Sequence, residues 1–236
     1  MIATYGAGEK GAREAARAGA AVVVVDAYRA STTIAVLVYR GLRVVPVASI
    51  EEAASYPGAD YHIGERGSAK VRGFDFGNSP TEVRDADLVA DSTVVLSSTN
   101  GTRIIDAARG APAIFTGAFV NARAVAGAVA SGEADLRVAV IGCGWQGRRA
   151  SEDESAAAAI LVRLQENGAE LDKRAESVVA ASLRRPESFL RSNSAARRLK
   201  RLGYERDLDF CLAQNTVPVV LRLEIESFVR SSGIDA

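Results

Sequence analysis

The sequence predicts an α/β fold: a mostly parallel sheet flanked by helices, with a helical C-terminal part and a late edge strand. Three observations predict it. Short β-branched runs alternate with helical stretches from residue 20 to residue 141, and such regular alternation implies strands joined by crossover helices. The run Ala20-Ala-Val-Val-Val-Val-Asp26 is almost continuously apolar, as strands buried on both faces are. After residue 141 the pattern turns helical until a final apolar run at 216–223.

Residues 1–19 are rich in alanine, glycine and charge, with Glu9, Arg13, Ala16 and Arg17 compatible with a short helix. The strand at 20–25 ends in the carboxylate of Asp26. Arg29-Ala-Ser-Thr-Thr33 follows, and a helix over 34–40 stops at Gly41. The hydroxyls of Ser31, Thr32 and Thr33 stand where that helix begins, placed to cap it, to bind an anion there, or both. Next come a strand over 43–48, a helix over 50–56 capped by Ser49, and a short strand over 61–63. Residues 64–80, GERGSAKVRGFDFGNSP, combine four glycines with Glu65, Arg66 and Asp75, and read as a binding loop anchored by Phe74 and Phe76.

A helical piece reaches residue 88, and a strand over 93–97 exits into Ser98-Thr-Asn-Gly-Thr-Arg103. A helix through 108, a strand over 113–116, a helix over 120–130 and a strand over 136–141 complete the alternation. Ser151 is expected to cap a long helix over 155–167, with Glu152 and Asp153 leading into it. Helices fill 172–202, and Pro218 places the 216–223 strand at an edge or makes that proline its start. With no internal repeat or linker, one domain over 1–236 is the economical organisation.

Lys plus Arg and Asp plus Glu are equal at 29 each, so the chain as a whole offers no basic field for nucleic acid. The densest basic cluster, Arg184 to Arg201, is interleaved with apolar residues at helical spacing and reads as an amphipathic surface helix. Two cysteines make no disulfide framework, no secretory leader pattern opens the chain, and no apolar run approaches a membrane span; a cytoplasmic protein is expected. The apolar helical C-terminal part is compatible with a homodimer.

In doubly wound sheets ligands bind outside the carboxyl ends of the strands. That rule gathers Asp26, Glu65, Asp75, Glu152 and Asp153, hard oxygen donors of the kind Mg²⁺ accepts. Arg29, Arg66 and Arg103 stand beside them, suited to fork onto an oxyanion. Gly142-Cys-Gly-Trp-Gln-Gly147 matches a dinucleotide fingerprint in letters only, because no helix begins inside it and no second βαβ strand follows. The one histidine, His62, and the two cysteines give little support to a nucleophilic triad.

Asp26-Ala-Tyr-Arg-Ala-Ser-Thr-Thr-Ile34, Gly64-Glu-Arg-Gly67 with Gly73-Phe-Asp-Phe-Gly-Asn-Ser-Pro80, Ser98-Thr-Asn-Gly-Thr-Arg103 and Ser151-x-Asp153 together resemble the 2-phosphosulfolactate phosphatase family of coenzyme M biosynthesis. The resemblance runs from about residue 20 to 223 and takes in Gly203-x5-Asp209-Phe-Cys211. It implies a Mg²⁺-dependent phosphatase that converts 2-phosphosulfolactate to sulfolactate and phosphate. Asp26, Arg29, Glu65 and Asp75 are then the expected catalytic groups, and Asp26, Glu65, Asp75, Glu152 and Asp153 the pool of metal ligands. Arg29, Ser31, Thr32, Arg66, Asn78, Ser79, Asn100, Gly101, Thr102 and Arg103 are the expected contacts to the small anionic phosphomonoester. The alternative is a non-catalytic anion- or nucleotide-binding protein that holds a ligand in the same loops without turning it over.

Overall fold

The computed structural model describes residues 1–132 and 137–231. Leu136, where the sequence places the start of a strand, lies outside the described residues. The strands are β1 (Ile2–Ala7), β2 (Ala21–Val25), β3 (Arg43–Pro46), β4 (Tyr61–Arg66), β5 (Ala69–Lys70), β6 (Thr93–Ser97), β7 (Ile114–Thr116), β8 (Arg137–Gly142), β9 (Glu170–Leu171), β10 (Leu221–Glu224) and β11 (Ser227–Arg230). They form one sheet in the order β5-β4-β6-β3-β11-β10-β7-β2-β8-β1-β9.

The α/β class is as the sequence predicts, but the placement of the late strand needs correction. Two late strands form a hairpin, and it sits in the middle of the sheet rather than at its edge. Pro218 precedes β10 and so removes no ladder bond from it. The hairpin has a topological consequence. β11 is antiparallel to β3, β10 to β11, and β7 to β10, so the parallel group β4-β6-β3 runs opposite to the parallel group β7-β2-β8-β1. In a flat sheet their carboxyl ends would lie on opposite rims.

They meet because the sheet twists as it curls: at about 20–25° per neighbouring pair, five steps turn β6 far enough relative to β2 for their ends to approach. β2 and β6 are five ladder steps apart in the sheet order, roughly 24 Å along a flat sheet. Yet the Gly101 amide after β6 lies 3.1 Å from the Asp26 carboxylate after β2. Inside the curl lie α2 (Ala30–Tyr39) and α5 (Gly101–Ala107), whose Ile34, Leu37, Ile104 and Ile105 share one core with Val22 and Val24 of one group and Val44, Val94 and Leu96 of the other. The alternate valines, Val23 and Val25, face a second core built with α6 (Ala122–Ala130), α7 (Ser151–Glu166) and α8 (Lys173–Leu183). Each of these β2 valines is fully buried, which stabilises the fold by about 1.5–3 kcal/mol apiece.

Several boundaries differ from the sequence reading for local reasons. β1 was not expected; its small residues weaken the strand signal, and only Ala3 and Tyr5 alternate into the core before α1 (Gly8–Arg17) begins. β4 continues into the expected glycine loop and turns back as β5 through Gly67 and Ser68, both at positive φ. Ser49 caps α3 (Ile50–Ser55) as expected, and Ser79 caps α4 (Pro80–Asp85) with Pro80 at its first position. Ser151 is the first residue of α7, not its cap. The basic cluster is not one helix: Arg184 and Arg185 follow α8, and Pro186 leads into α9 (Glu187–Leu190) and α10 (Ser194–Arg201), ahead of α11 (Glu205–Leu212). Among the described residues no helix is long and apolar enough to cross a membrane.

Candidate active site

Four buried carboxylates converge where the strand ends meet: Asp26, Glu65, Glu152 and Asp153. Backbone amides aim three of them. Asp26 follows β2 directly and takes the Gly101 amide on Oδ2. Glu65 accepts the Ser68 and Thr99 amides, both at 2.6 Å, binding the β4–β5 turn to the β6 exit. Asp153, in the first turn of α7, accepts the Ala27 and Gly144 amides at 2.8 Å each, joining the β2 and β8 exits. Glu152 is held by a side chain instead, the Asn193 amide group donating to its Oε2 at 2.8 Å. A carboxylate oxygen with one such bond keeps a second lone pair, so these contacts orient the acids without exhausting them.

The charges press on one another. Burial, then the Glu65 charge, pushes Asp26 up to about 7 against the holding effect of the Ala30 and Gly101 amides. Burial and then Asp26 raise Asp153 well above the usual carboxylate range. Glu152 is raised by burial, while its own amide, Ser151, Arg198 and Asn193 oppose the rise. A cluster of this kind favours a proton or a cation in its midst. Among the described residues, however, no three acid, histidine or cysteine side chains make a ready-formed metal ligand set.

Asp75 is not part of the cluster. It lies about half-exposed beside β4, its Oδ2 accepting the His62 amide at 2.7 Å and sitting 3.7 Å from the His62 ring nitrogen. Arg29, expected at a ligand, is instead buried and closed in: Nη1 donates to Asp207 at 2.6 Å, Nη2 to the Ser68 carbonyl, and the guanidinium stacks on Tyr204 at 4.1 Å. The hydroxyls after it are engaged within the fold as well. Ser31 accepts the Asp26 amide and bonds Thr116, locking the β2–α2 turn to β7, and Thr32 donates to the Ala27 carbonyl.

Arg66 is directed to the Glu65 carbonyl and Ser97, and Arg103 pairs with Glu9 of α1 at 2.8 Å. Ser79 caps α4 and donates to Asp207 at 2.8 Å. Thr102 and Ser98 bond each other's amides, forming the first turn of α5, while Asn100 accepts the Gln146 amide. Asn78 is 2% exposed, and its Oδ1 has no hydrogen-bond partner among the described residues. Among the described residues Gly101 is the one expected contact bonded to a carboxylate oxygen of the cluster. Its lack of a side chain is required, since a Cβ there would stand 2.7 Å from Asp26 Oδ2 and 2.8 Å from the Ala30 Cβ.

Three residues went unread in the sequence. Asp207 anchors Arg29, Ser79 and Thr81, although the motif drew the eye to Asp209, which is exposed and pairs with Arg191. Asn193 caps α10 and holds Glu152. Arg198, submerged in a basic helical run, reaches Ser68 at 2.9 Å and stacks on Trp145 at 3.6 Å. One signal pointed to it: in α10 it lies three residues from the buried Ala195, flanking the inner face. The fingerprint-like Gly142–Gly147 stretch is a tight turn in which Trp145 and Arg148 exchange both backbone bonds, with Gln146 and Gly147 at positive φ.

A sequence model of a family described as 2-phosphosulpholactate phosphatase matches residues 9–226. A "Probable 2-phosphosulfolactate phosphatase" of Synechococcus sp. is 40% identical over 204 residues, covering 80% of this chain and 82% of its own length. One of Carboxydothermus hydrogenoformans with the same description is 36% identical over 208 residues, covering 85% and 84%. The "2-phosphosulfolactate phosphatase" of Methanocaldococcus jannaschii is 35% identical over 210 residues, covering 86% and 89%.

Proposed function

The chain belongs to the 2-phosphosulfolactate phosphatase family, and from that premise we propose that it is a Mg²⁺-dependent phosphoric monoester hydrolase that converts 2-phosphosulfolactate to sulfolactate and phosphate. The observation that carries the reading is the convergence of Asp26, Glu65, Glu152 and Asp153 from three separate segments onto one buried, electrically strained locus. Phosphoryl transfer asks a protein mainly for placement and for neutralisation of charge.

The donor set fits Mg²⁺ in its chemistry. This cation commonly takes one or two protein carboxylates and completes its shell with water and phosphate oxygens. Glu152 and Asp153, adjacent in the first turn of α7, are the residues we assign to hold it. Bound there, the ion would set positive charge against the phosphoryl oxygens and acidify the attacking water. Asp26, fixed by the Gly101 amide, would be the group that takes a proton from the attacking water. Glu65 keeps the β4–β5 turn and the β6 exit in register by its two amide bonds. The helix dipole of α7 supports the negative charge of its first turn.

The test is phosphate release from 2-phosphosulfolactate, with 2-phospholactate as the ester lacking the sulfonate, measured with Mg²⁺ and after EDTA. Release that needs Mg²⁺ and favours the sulfonated ester is expected. Full activity in EDTA would remove the metal from the mechanism, and ligand binding without release from any ester would favour a non-catalytic binding protein.

A further inference from the structure

We propose that Arg198 is the residue that grips the phosphoryl group, supplying the oxyanion fork that the sequence reading looks for in Arg29, Arg66 and Arg103. The proposal rests on the phosphatase reading for its substrate and on the side-chain geometry for its residue. The arginines expected at the ligand are directed elsewhere. Arg29 is closed in by Asp207, the Ser68 carbonyl and Tyr204; Arg66 binds the Glu65 carbonyl and Ser97; Arg103 pairs with Glu9.

Arg198 is built differently. Its Cζ lies over the Trp145 ring, 3.6 Å from the centroid, and its Nε donates to Ser68 Oγ at 2.9 Å. Ser68 in turn donates its amide to Glu65, which places the guanidinium one residue from the acid cluster. Among the described residues neither Nη1 nor Nη2 makes a hydrogen bond. Stacking and the Nε bond therefore fix the plane and leave its two-nitrogen edge available, the preorganised geometry that matches two oxygens of a phosphoryl group. The helix that carries it is anchored at the same place, because Asn193 at the start of α10 caps that helix and also holds Glu152.

Charge makes such a residue necessary. An acid-rich locus is a poor host for an arriving phosphate unless a cation stands beside it, and Arg198 is a partly buried cation that feels both Glu152 and Glu65. The other basic residues of α10, Arg197, Lys200 and Arg201, are exposed.

Arg198→Ala and Arg198→Lys are compared with wild type by calorimetric binding of inorganic phosphate in the presence of Mg²⁺, and by kcat/KM on 2-phosphosulfolactate and 2-phospholactate. Thermal melts show whether each variant is folded, and Arg198→Lys serves if the alanine variant is not. Phosphate affinity should fall about tenfold to a hundredfold in Arg198→Ala and by an intermediate factor in Arg198→Lys, which keeps the charge but not the fork. Both esters should lose kcat/KM together, since the contact is to the group they share. Unchanged phosphate affinity overturns the proposal, as does a loss confined to the sulfonated ester or a wild-type protein that does not bind phosphate. A wild-type protein that binds phosphate yet hydrolyses neither ester refutes the hydrolase reading and leaves the Arg198 comparison readable.

Discussion

Arg29 and Asp207 form a 2.6 Å ion pair whose side chains are 1% and 0% exposed, joining the start of α2 to α11 across 178 residues of sequence. Asp207 also accepts the Ser79 hydroxyl and the Thr81 amide and hydroxyl, so one carboxylate ties three elements together. Removing one partner of a buried pair leaves the other charged and unpaired, which costs about 3–5 kcal/mol. Asp207→Ala should therefore lose that much stability by urea denaturation, and the double variant Arg29→Met, Asp207→Leu should recover part of it. An Asp207→Ala protein within about 1 kcal/mol of wild type would show that the pair is not structural.

Asp26 makes the metal-free protein sensitive to pH. Its carboxyl is raised to about 7 in the fold against 3.8 ordinarily, so the folded state binds a proton that the unfolded state releases earlier. The associated stability is fully present below about pH 4 and is lost as pH rises to about 7, by up to roughly 4 kcal/mol. Asp26→Asn removes this titration. In EDTA the variant should gain stability relative to wild type between pH 4 and 7, while phosphate release is abolished. A stability difference that stays flat over that window would contradict the raised value.

Gly101→Ala tests the link between α5 and Asp26. Alanine would normally favour a helix by up to about 1 kcal/mol. Here its Cβ would collide with Asp26 Oδ2 at 2.7 Å and the Ala30 Cβ at 2.8 Å. The expected result is a loss of about 1–3 kcal/mol by thermal melting and about a hundredfold in phosphate release, because the carboxylate is displaced. Wild-type turnover would mean that the position of Asp26 is unimportant.

Asp75→Asn should be nearly silent. On sequence alone this substitution is expected to abolish turnover, but the side chain is about half-exposed and engages His62 rather than the acid cluster. Phosphate release within a few-fold of wild type and stability within about 1 kcal/mol are expected. A tenth of the wild-type rate or less would return Asp75 to the site.

The acids that do converge were legible because each stands at a local boundary: Asp26 closes a β-branched run, and Glu152 and Asp153 precede an alanine-rich helix. Asp75 stands at a similar boundary and faces the wrong way. Glycine-rich spacing marks a turn but does not say which way its side chains point, and here β4 runs three residues into the stretch before turning at Gly67 and Ser68. Arg198 was hidden for the opposite reason. Its neighbours Arg197, Lys200 and Arg201 are solvated, so a residue facing Glu152 and Glu65 reads as one more surface charge.

By itself the sequence determined the α/β class, most strands and helices and their order, and the carboxylates available at the strand ends, because periodicity, capping and turn chemistry are short-range properties. The tertiary structure decided which of those groups share a site. That choice depends on the hairpin of β10 and β11 entering between β3 and β7, and on the sheet curling around α2 and α5. These are pairings between residues more than a hundred positions apart, and no local pattern encodes the direction in which they bring Asp26, Glu65 and Asp153 together.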